Sequence, residues 1–333
     1  MRDKGFSIIV PAYNSERTIC NCLKRILEYK DQGDEVIVVD NCSSDSTAEL
    51  VKSFSVKLFV CEKRGAAAAR NFGVQHAEHD NIIFVDSDVM IAEDSIKKIK
   101  SRLLSTDISA VNGIYSSTAG NNSFMSKFQN IYTYNNYMNI GGKKRQLVYN
   151  SFWASFSAVK RDAFKEVGGF NEKLSALEDI EFGVRMTNKG YKVLFDKNIQ
   201  NFHDHNFTVK KFFMNYYTKT KAWVCVSMSK DALKYEGYDD IRPKLSLLLA
   251  NLFMAIVILS FFLVKPFGLY PLGVAGVVFG FFSLNNNELL ITAKKTYGFR
   301  FMLLSAPTLV LSYVFIAVGI VGGFIDYLWD QLA

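Results

Sequence analysis

The chain has 333 residues, 49% of them apolar and 21% charged, and 39 Lys and Arg against 32 Asp and Glu leave a net charge of +7. That length exceeds one ordinary domain and points to one large domain with an appendage, or to two. The positive excess is modest and its lysines gather beside apolar segments, which fits anionic head groups or phosphorylated substrates and argues against nucleic acid as a partner.

The first elements alternate. "FSIIVPAYN" is an apolar run stopped by Pro11, as expected of a strand buried on both faces. Ser15 then caps "ERTICNCLKRILEYK", where Ile19, Cys22, Leu23, Ile26 and Leu27 recur at helical spacing. "DEVIVVD" reads as a second strand, "NCSSDST" as a polar loop and "AELVKSF" as a helix; "VKLFVCE" and "NIIFVDSD" add two strands around the helix "AAAARNFGVQHAE". Alternating strands and helices predict an α/β fold, a mostly parallel sheet wound with helices on both faces. Five scattered cysteines, odd in number and without paired Cys-x-x-Cys units, agree with a reducing compartment.

In open α/β sheets the ligand lies beyond the carboxyl ends of the strands. Polar residues gather there: Tyr13 and Asn14, then Asp40 and Asn41, then Asp86 and Asp88. Read as extended chain, Asp86 and Asp88 point to one side with Ser87 opposite, and two neighbouring carboxylates repel unless a cation lies between them. Magnesium or manganese suits such an oxygen-rich pair, although an exposed turn or a helix cap would also use it. A dinucleotide or P-loop site is not indicated, because neither glycine-rich signature is present.

Further on, "VKKFFMNYYTKTKAWVCV" interleaves aromatics with lysines and reads as an amphipathic helix at a membrane interface, or as a core-facing helix with solvated lysines. Residues 245–264, 267–284 and 301–325 are nearly free of charge, and "LLLANLFMAIVILSFFLV" has no polar stripe. Each is long enough to cross about 30 Å of hydrocarbon, which predicts about three spans. The basic linkers lie on the side of the N-terminal domain, and "MRDKGFSIIVPAYN" shows no leader, so that side is expected to be cytoplasmic. The expected division is 1–207 for the catalytic domain, 208–244 for interfacial helices and 245–333 for the membrane region.

Six pieces then form an ordered set: "SIIVPAYNSERTI", "DEVIVVDNCSSDST", "RGAAAARNFGVQHA", "IIFVDSDV", "VGGFNEKLSALEDIEFGVRMTNKGYKV" and "FHDHNFTVKKFF". Together they resemble the family 2 glycosyltransferases of the GT-A fold, an inverting group that uses nucleotide-diphosphate sugars. The resemblance implies a donor site, for a UDP-linked sugar, made by Pro11, Ala12, Tyr13, Glu16, Asp40, Asn41, Gly65, Arg70, Asp86 and Ser87. It implies a Mn2+ or Mg2+ ion held by Asp86 and Asp88 with His203, or in its place His205. It implies Asp179 as the general base, supported by Glu178, since direct displacement at the anomeric carbon requires the acceptor hydroxyl to lose its proton.

One departure matters. Many relatives carry a second aspartate where this chain has Asn41, which leaves open whether Asp40 or Asn41 meets the base. The processive Gln-x-x-Arg-Trp motif is absent from the sequence, so one sugar per encounter is expected. The expected acceptor is a lipid-linked (polyprenyl) or glycan hydroxyl at the cytoplasmic face of the membrane. The alternatives are a polyprenyl-phosphate acceptor and a non-catalytic nucleotide-sugar-binding protein.

Overall fold

The computed structural model describes residues 5–104, 107–174, 176–228 and 286–332. Two compact units make it up: Met1–Asn122 with Asn136–His205, and Ser123–Asn135 with Asn206–Ala333.

The first unit is built on β1 (Ser7–Ala12), which lies between β2 (Glu35–Asp40) and β4 (Asn81–Val85), with β3 (Lys57–Val60) beyond β2; all four run parallel. Apolar residues fill both faces of these strands because both are covered. Ile8 and Val10 pack with Ile19, Leu23 and Ile26 of α1 (Ile19–Tyr29) and Ile96 and Ile99 of α4 (Ser95–Leu103). The intervening Ile9, with Ile37 and Val39, faces the alanines of α3 (Ala66–Gln75) and the second core cluster. The period of two along each strand thus separates the two cores. Between β2 and β3 lies the short helix α2 (Thr47–Val51).

Beyond β4 the sheet is mixed. Its order is β3-β2-β1-β4-β8-β6-β9-β5, with β7 paired to β9. β8 (Phe156–Lys160) runs antiparallel to β4 and to β6 (Ala110–Tyr115), β6 runs parallel to β9 (Val193–His203), and β5 (Val89–Met90) and β7 (Gln146–Val148) are antiparallel to β9. The parallel half matches the alternation in the sequence, whereas the second half pairs strands out of chain order.

Helices α6 (Arg161–Val167) and α7 (Glu178–Asn188) cover the face shared with α3, through Phe164, Phe182 and Met186. α7 approaches the segment before β8 so closely that a Cβ on Gly183 would stand 2.2 Å from the Phe152 nitrogen and 2.6 Å from the Ser151 carbonyl carbon. Gly183→Ala should therefore cost roughly 1–3 kcal/mol, the usual range for overpacking. A thermal melt matching that of the parent protein would contradict this.

In the second unit the start of α5 (Phe124–Asn139) meets α8 (Val209–Met228), α9 (Asn287–Tyr297) and α10 (Phe299–Leu332). Phe212, Phe213 and Tyr216 of α8 are buried against Phe128 and Ile131 of α5 and Leu309 and Ile316 of α10. These three aromatics therefore belong to a helical core. α8 and α10 touch at backbone distance, since a Cβ on Gly319 would come within 2.8 Å of the Tyr217 carbonyl oxygen, and Lys221 pairs with Asp326 at 2.6 Å. Among the described residues, one helix, Phe299–Trp329, is long and apolar enough to cross a membrane. The spans expected at 245–264 and 267–284 lie outside the described residues.

Candidate active site

The loops at the carboxyl ends of β1 and β2 are stitched together. Asn14, at φ 48°, accepts the Ser44 N–H at 2.8 Å, Ser15 N–H donates to the Thr47 hydroxyl at 2.7 Å, and Glu16 accepts the Ser46 N–H at 3.2 Å. Pro11 and Ala12 are the last residues of β1, and Tyr13 projects from its tip, 53% exposed. Glu16, expected at the donor, acts here as a clasp between the two loops.

Asp40 and Asn41, both buried, differ in what they do. The Asn41 amide donates to the carbonyl oxygens of Cys61 (3.1 Å) and Lys63 (2.8 Å) and accepts the Gly65 N–H at 2.7 Å. All three partners are backbone groups of the β3–α3 loop, so Asn41 anchors that loop. Asp40 accepts the Ser43 N–H at 3.3 Å through Oδ2, and its Oδ1 is buried without a hydrogen-bond partner. A buried acceptor of that kind is costly unless a ligand completes it.

The chain from Asp86 to Val89 is a tight turn, closed by Val89 N–H donating to the Asp86 carbonyl oxygen at 2.9 Å. The alternation expected of an extended segment is lost there, and the two carboxylates go to different partners. Asp86 accepts from the Arg70 guanidinium at 2.6 Å, while Asp88 lies 3.4 Å from His203 Nε2. Ser87 meets Ser15 hydroxyl to hydroxyl at 2.8 Å. Pairing of β5 with β9 sets Val89 opposite His203 and so delivers the imidazole to Asp88. The His203 ring stacks on that of His205 at 3.5 Å, and Tyr115 packs edge-on against it at 4.5 Å. Burial raises the pKa of Asp88, His203 opposes that rise and Asp86 adds to it.

Among the described residues no three His, Cys, Asp or Glu side chains converge on one metal position. The donor set still fits a divalent cation of the Mn2+ or Mg2+ kind, because Asp88 and His203 already adjoin and Asp86 stands at the far end of the same turn.

Arg70, 6% exposed, is the hub of the site: its second contact is Glu178 at 2.8 Å. Burial works against its charge, but Asp86 and Glu178 more than offset that and raise its pKa. Asp179 follows at the start of α7, whose cap residue Leu177 is held at φ 65°. It accepts the Ala154 N–H at 3.2 Å through Oδ2 and the Ile180 N–H at 2.8 Å through Oδ1. Burial and the Glu178 charge push its pKa up to about 6, against the pull of Arg70 and of the two N–H groups. A carboxylate with that pKa can take a proton near neutrality.

The fold thus brings Arg70, Asp86, Glu178 and Asp179 together, and places Asp88 and His203 beside Asp86. Asn112 and Trp153 were not singled out by the sequence. Asn112 is fully buried on β6, donates to the Ser151 carbonyl oxygen at 2.8 Å and accepts the Trp153 N–H at 3.1 Å, thereby fixing the segment that reaches Asp179. An asparagine inside an otherwise apolar strand, "AVNGIY", is the one signal that could have pointed to it.

Residues 7–168 match the family described as Glycosyl transferase family 2. The chain is 28% identical over 205 residues to Glycosyltransferase AglE of Haloferax volcanii, which covers 59% of this chain and 66% of that protein. It is 37% identical over 132 residues to the Escherichia coli UDP-Glc:alpha-D-GlcNAc-diphosphoundecaprenol beta-1,3-glucosyltransferase WfgD, covering 38% of this chain and 52% of that one. It therefore spans about two thirds and about half of these relatives' lengths. In fold it is similar to the mannosyltransferase PcManGT of Pyrobaculum calidifontis, solved with GDP-Man and Mn2+, with a TM-score of 0.57 and 17% identity over 98% of this chain and 87% of that one. Residues 7–168 thus carry a family 2 glycosyltransferase domain, and the unit that holds them has the GT-A fold.

Proposed function

We propose that this enzyme takes one sugar from a UDP-sugar and passes it, with inversion, to a hydroxyl of a lipid-linked or glycan acceptor at the cytoplasmic face of the membrane. The observation that carries this reading is Asp179: a carboxylate with a pKa of about 6, held by two backbone N–H groups at the end of the site opposite Asp40. An acceptor hydroxyl needs such a base, because its proton must leave as its oxygen bonds the anomeric carbon and the nucleoside diphosphate departs. Asp179 receives that proton. Glu178 holds Arg70, and Arg70 holds Asp86, so the base and the donor end keep a fixed separation.

The buried, unpartnered Asp40 Oδ1 supports Asp40 rather than Asn41 as the group that accepts an imide N–H of the base, with Tyr13 available to stack on it. Asp86, Asp88 and His203 would hold the Mn2+ or Mg2+, which when bound would neutralise the donor's diphosphate charge. WfgD, by its name, acts on a sugar-diphosphate polyprenol, which favours a lipid-linked acceptor here. Membrane residence is supported by the exposed Leu304, Leu311, Val318, Val321, Ile325 and Leu328 of α10, a surface suited to acyl chains.

A thermal-shift panel of UDP-, GDP- and dTDP-sugars with the full chain tests this. A UDP-sugar should raise the melting point only with Mn2+ or Mg2+; about 2.7 kcal/mol is expected at a ligand concentration of 100 Kd. Asp88→Ala should lose the metal-dependent part. An equal shift in that variant, or no response to any UDP-sugar, would overturn the proposal.

A further inference from the structure

The segment Ser151–Ala154 enters β8 under constraint from two sides. Asn112 grips its backbone at Ser151 and Trp153, and α7 presses on it at Gly183. Phe152 turns inward, fully buried against Phe84, Phe170 and Phe182, so Trp153 turns outward and is half-buried. The next residue supplies the N–H that Asp179 accepts. A large aromatic is thus fixed one residue from the N–H that holds the base, on a loop gripped from two sides.

Trp153 does not stand alone. Its ring lies 5.0 Å from Tyr137, 5.7 Å from Tyr149 and 4.9 Å from the buried Phe195, centroid to centroid. Tyr137 belongs to the same neighbourhood as the base: burial, then the charges of Asp179 and Asp86, raise the pKa of its phenol. Tyr137, Tyr149 and Trp153 are each half-buried, so the cluster is a wall with Phe195 behind it rather than a closed core. In the sheet, β8 and β2 lie on opposite sides of the β1–β4 pair. The wall therefore rises on the side of the site away from Asp40.

We propose that Trp153, flanked by Tyr137 and Tyr149, is the surface on which a pyranose ring of the acceptor stacks, so that the acceptor ends in a sugar and not in a bare lipid phosphate. This rests on the reading of Asp179 as the base. A pyranose offers a face of C–H groups to the negative face of an aromatic ring, whereas a phosphate is repelled by it. The two buried cations among the described residues of this unit do not relieve that repulsion. Arg70 is committed to Asp86 and Glu178, and Lys197 Nζ donates to the carbonyl oxygens of Met138 and Gly142 at 2.7 and 2.8 Å. Trp153 adjoins Ala154, whose N–H holds Asp179, so a sugar laid on the indole lies next to the base, as deprotonation requires.

The test uses the full chain in a sugar-free detergent with Trp223→Phe and Trp329→Phe, so that Trp153 is the one remaining indole. Hexyl glucoside, hexyl mannoside and hexyl N-acetylglucosaminide are titrated against its fluorescence, with hexyl phosphate as the contrasting probe. Saturable quenching by at least one glycoside and none by hexyl phosphate is the expected result. Quenching by hexyl phosphate, or by none of the glycosides, overturns the proposal. In transfer assays with membrane-extracted acceptor, Trp153→Ala should raise the acceptor KM roughly tenfold, the scale of a lost stacking contact, and Trp153→Phe should recover most of that. An unchanged acceptor KM in Trp153→Ala would count equally against it. Asp179→Asn separates the two ideas: failure of the base reading appears as retained turnover in that variant, and failure of stacking appears in the titration and in the acceptor KM of Trp153→Ala.

Discussion

Asp179→Asn should lower sugar transfer by roughly 10²-fold or more, within the range of positioned acid–base groups. The amide keeps the size of the carboxyl, and its one oxygen can still accept the Ile180 N–H at the helix start, while the Ala154 N–H, which met the other carboxylate oxygen, then faces an NH2. The loss belongs in kcat, because Asp179 meets the acceptor and not the nucleotide. The pH profile gives a second readout. With its pKa pushed up to about 6, Asp179 is protonated and idle below that pH, so wild-type kcat/KM should fall as pH drops through 6 and level off above it. The variant should lose that limb. Stability follows the opposite sense: the folded state holds this proton more tightly than the unfolded chain, so ionised Asp179 costs stability progressively as pH rises from about 4 to 6. The neutral amide escapes that cost but leaves the Ala154 N–H without its acceptor, so the melting point of the variant should vary less with pH between 4 and 6 than that of the parent. Near-native turnover would mean that the nucleophile arrives already charged, and a phosphate acceptor would replace the hydroxyl.

Arg70→Met should be the most destabilising change in the site. It leaves Asp86 and Glu178 without their shared cation in a desolvated setting, where removal of one partner of a buried pair typically costs about 3 kcal/mol or more. For a unit of this size that corresponds to a fall in melting point of roughly 6 to 12 °C. Adding Glu178→Gln should restore part of the loss. Melts of the three proteins decide the matter, and a melting point for Arg70→Met equal to that of the parent would contradict the pairing described.

The parallel half of the sheet was legible because strands buried on both faces read as continuous apolar runs, and "IIV", "VIVV" and "IIFV" each became a strand. Asp179 and Asp86 were legible because short motifs carry them. The Asp86–Val89 turn was not, since one local hydrogen bond overrides the alternation that four residues suggest. Arg70 was placed beside a diphosphate, but its nearest company is a pair of carboxylates. One of them, Glu178, is 108 residues away in sequence, and no local pattern announces such a pairing. Asn41 stood level with Asp40 as a candidate base reader because its type, and not its three backbone partners, is what a sequence displays. The aromatics of α8 alternate with lysines in a way that fits an interface equally well, and only the helices packed on them decide which face turns inward.

The packing of α8 against α10 has a consequence for how the protein is made. A ribosome delivers α8 well before it reaches Phe299, so Phe213 lacks its stacking partner Phe315, at 4.8 Å, until α10 has been made. Phe212 and Tyr216 find earlier company in α5, through Phe128 and Tyr132. Completion of this helical cluster thus waits for the synthesis of α10. Shortening the gene ahead of Phe299 to obtain a soluble enzyme would strand α8 with an oily flank, and a workable truncation has to remove α8 as well.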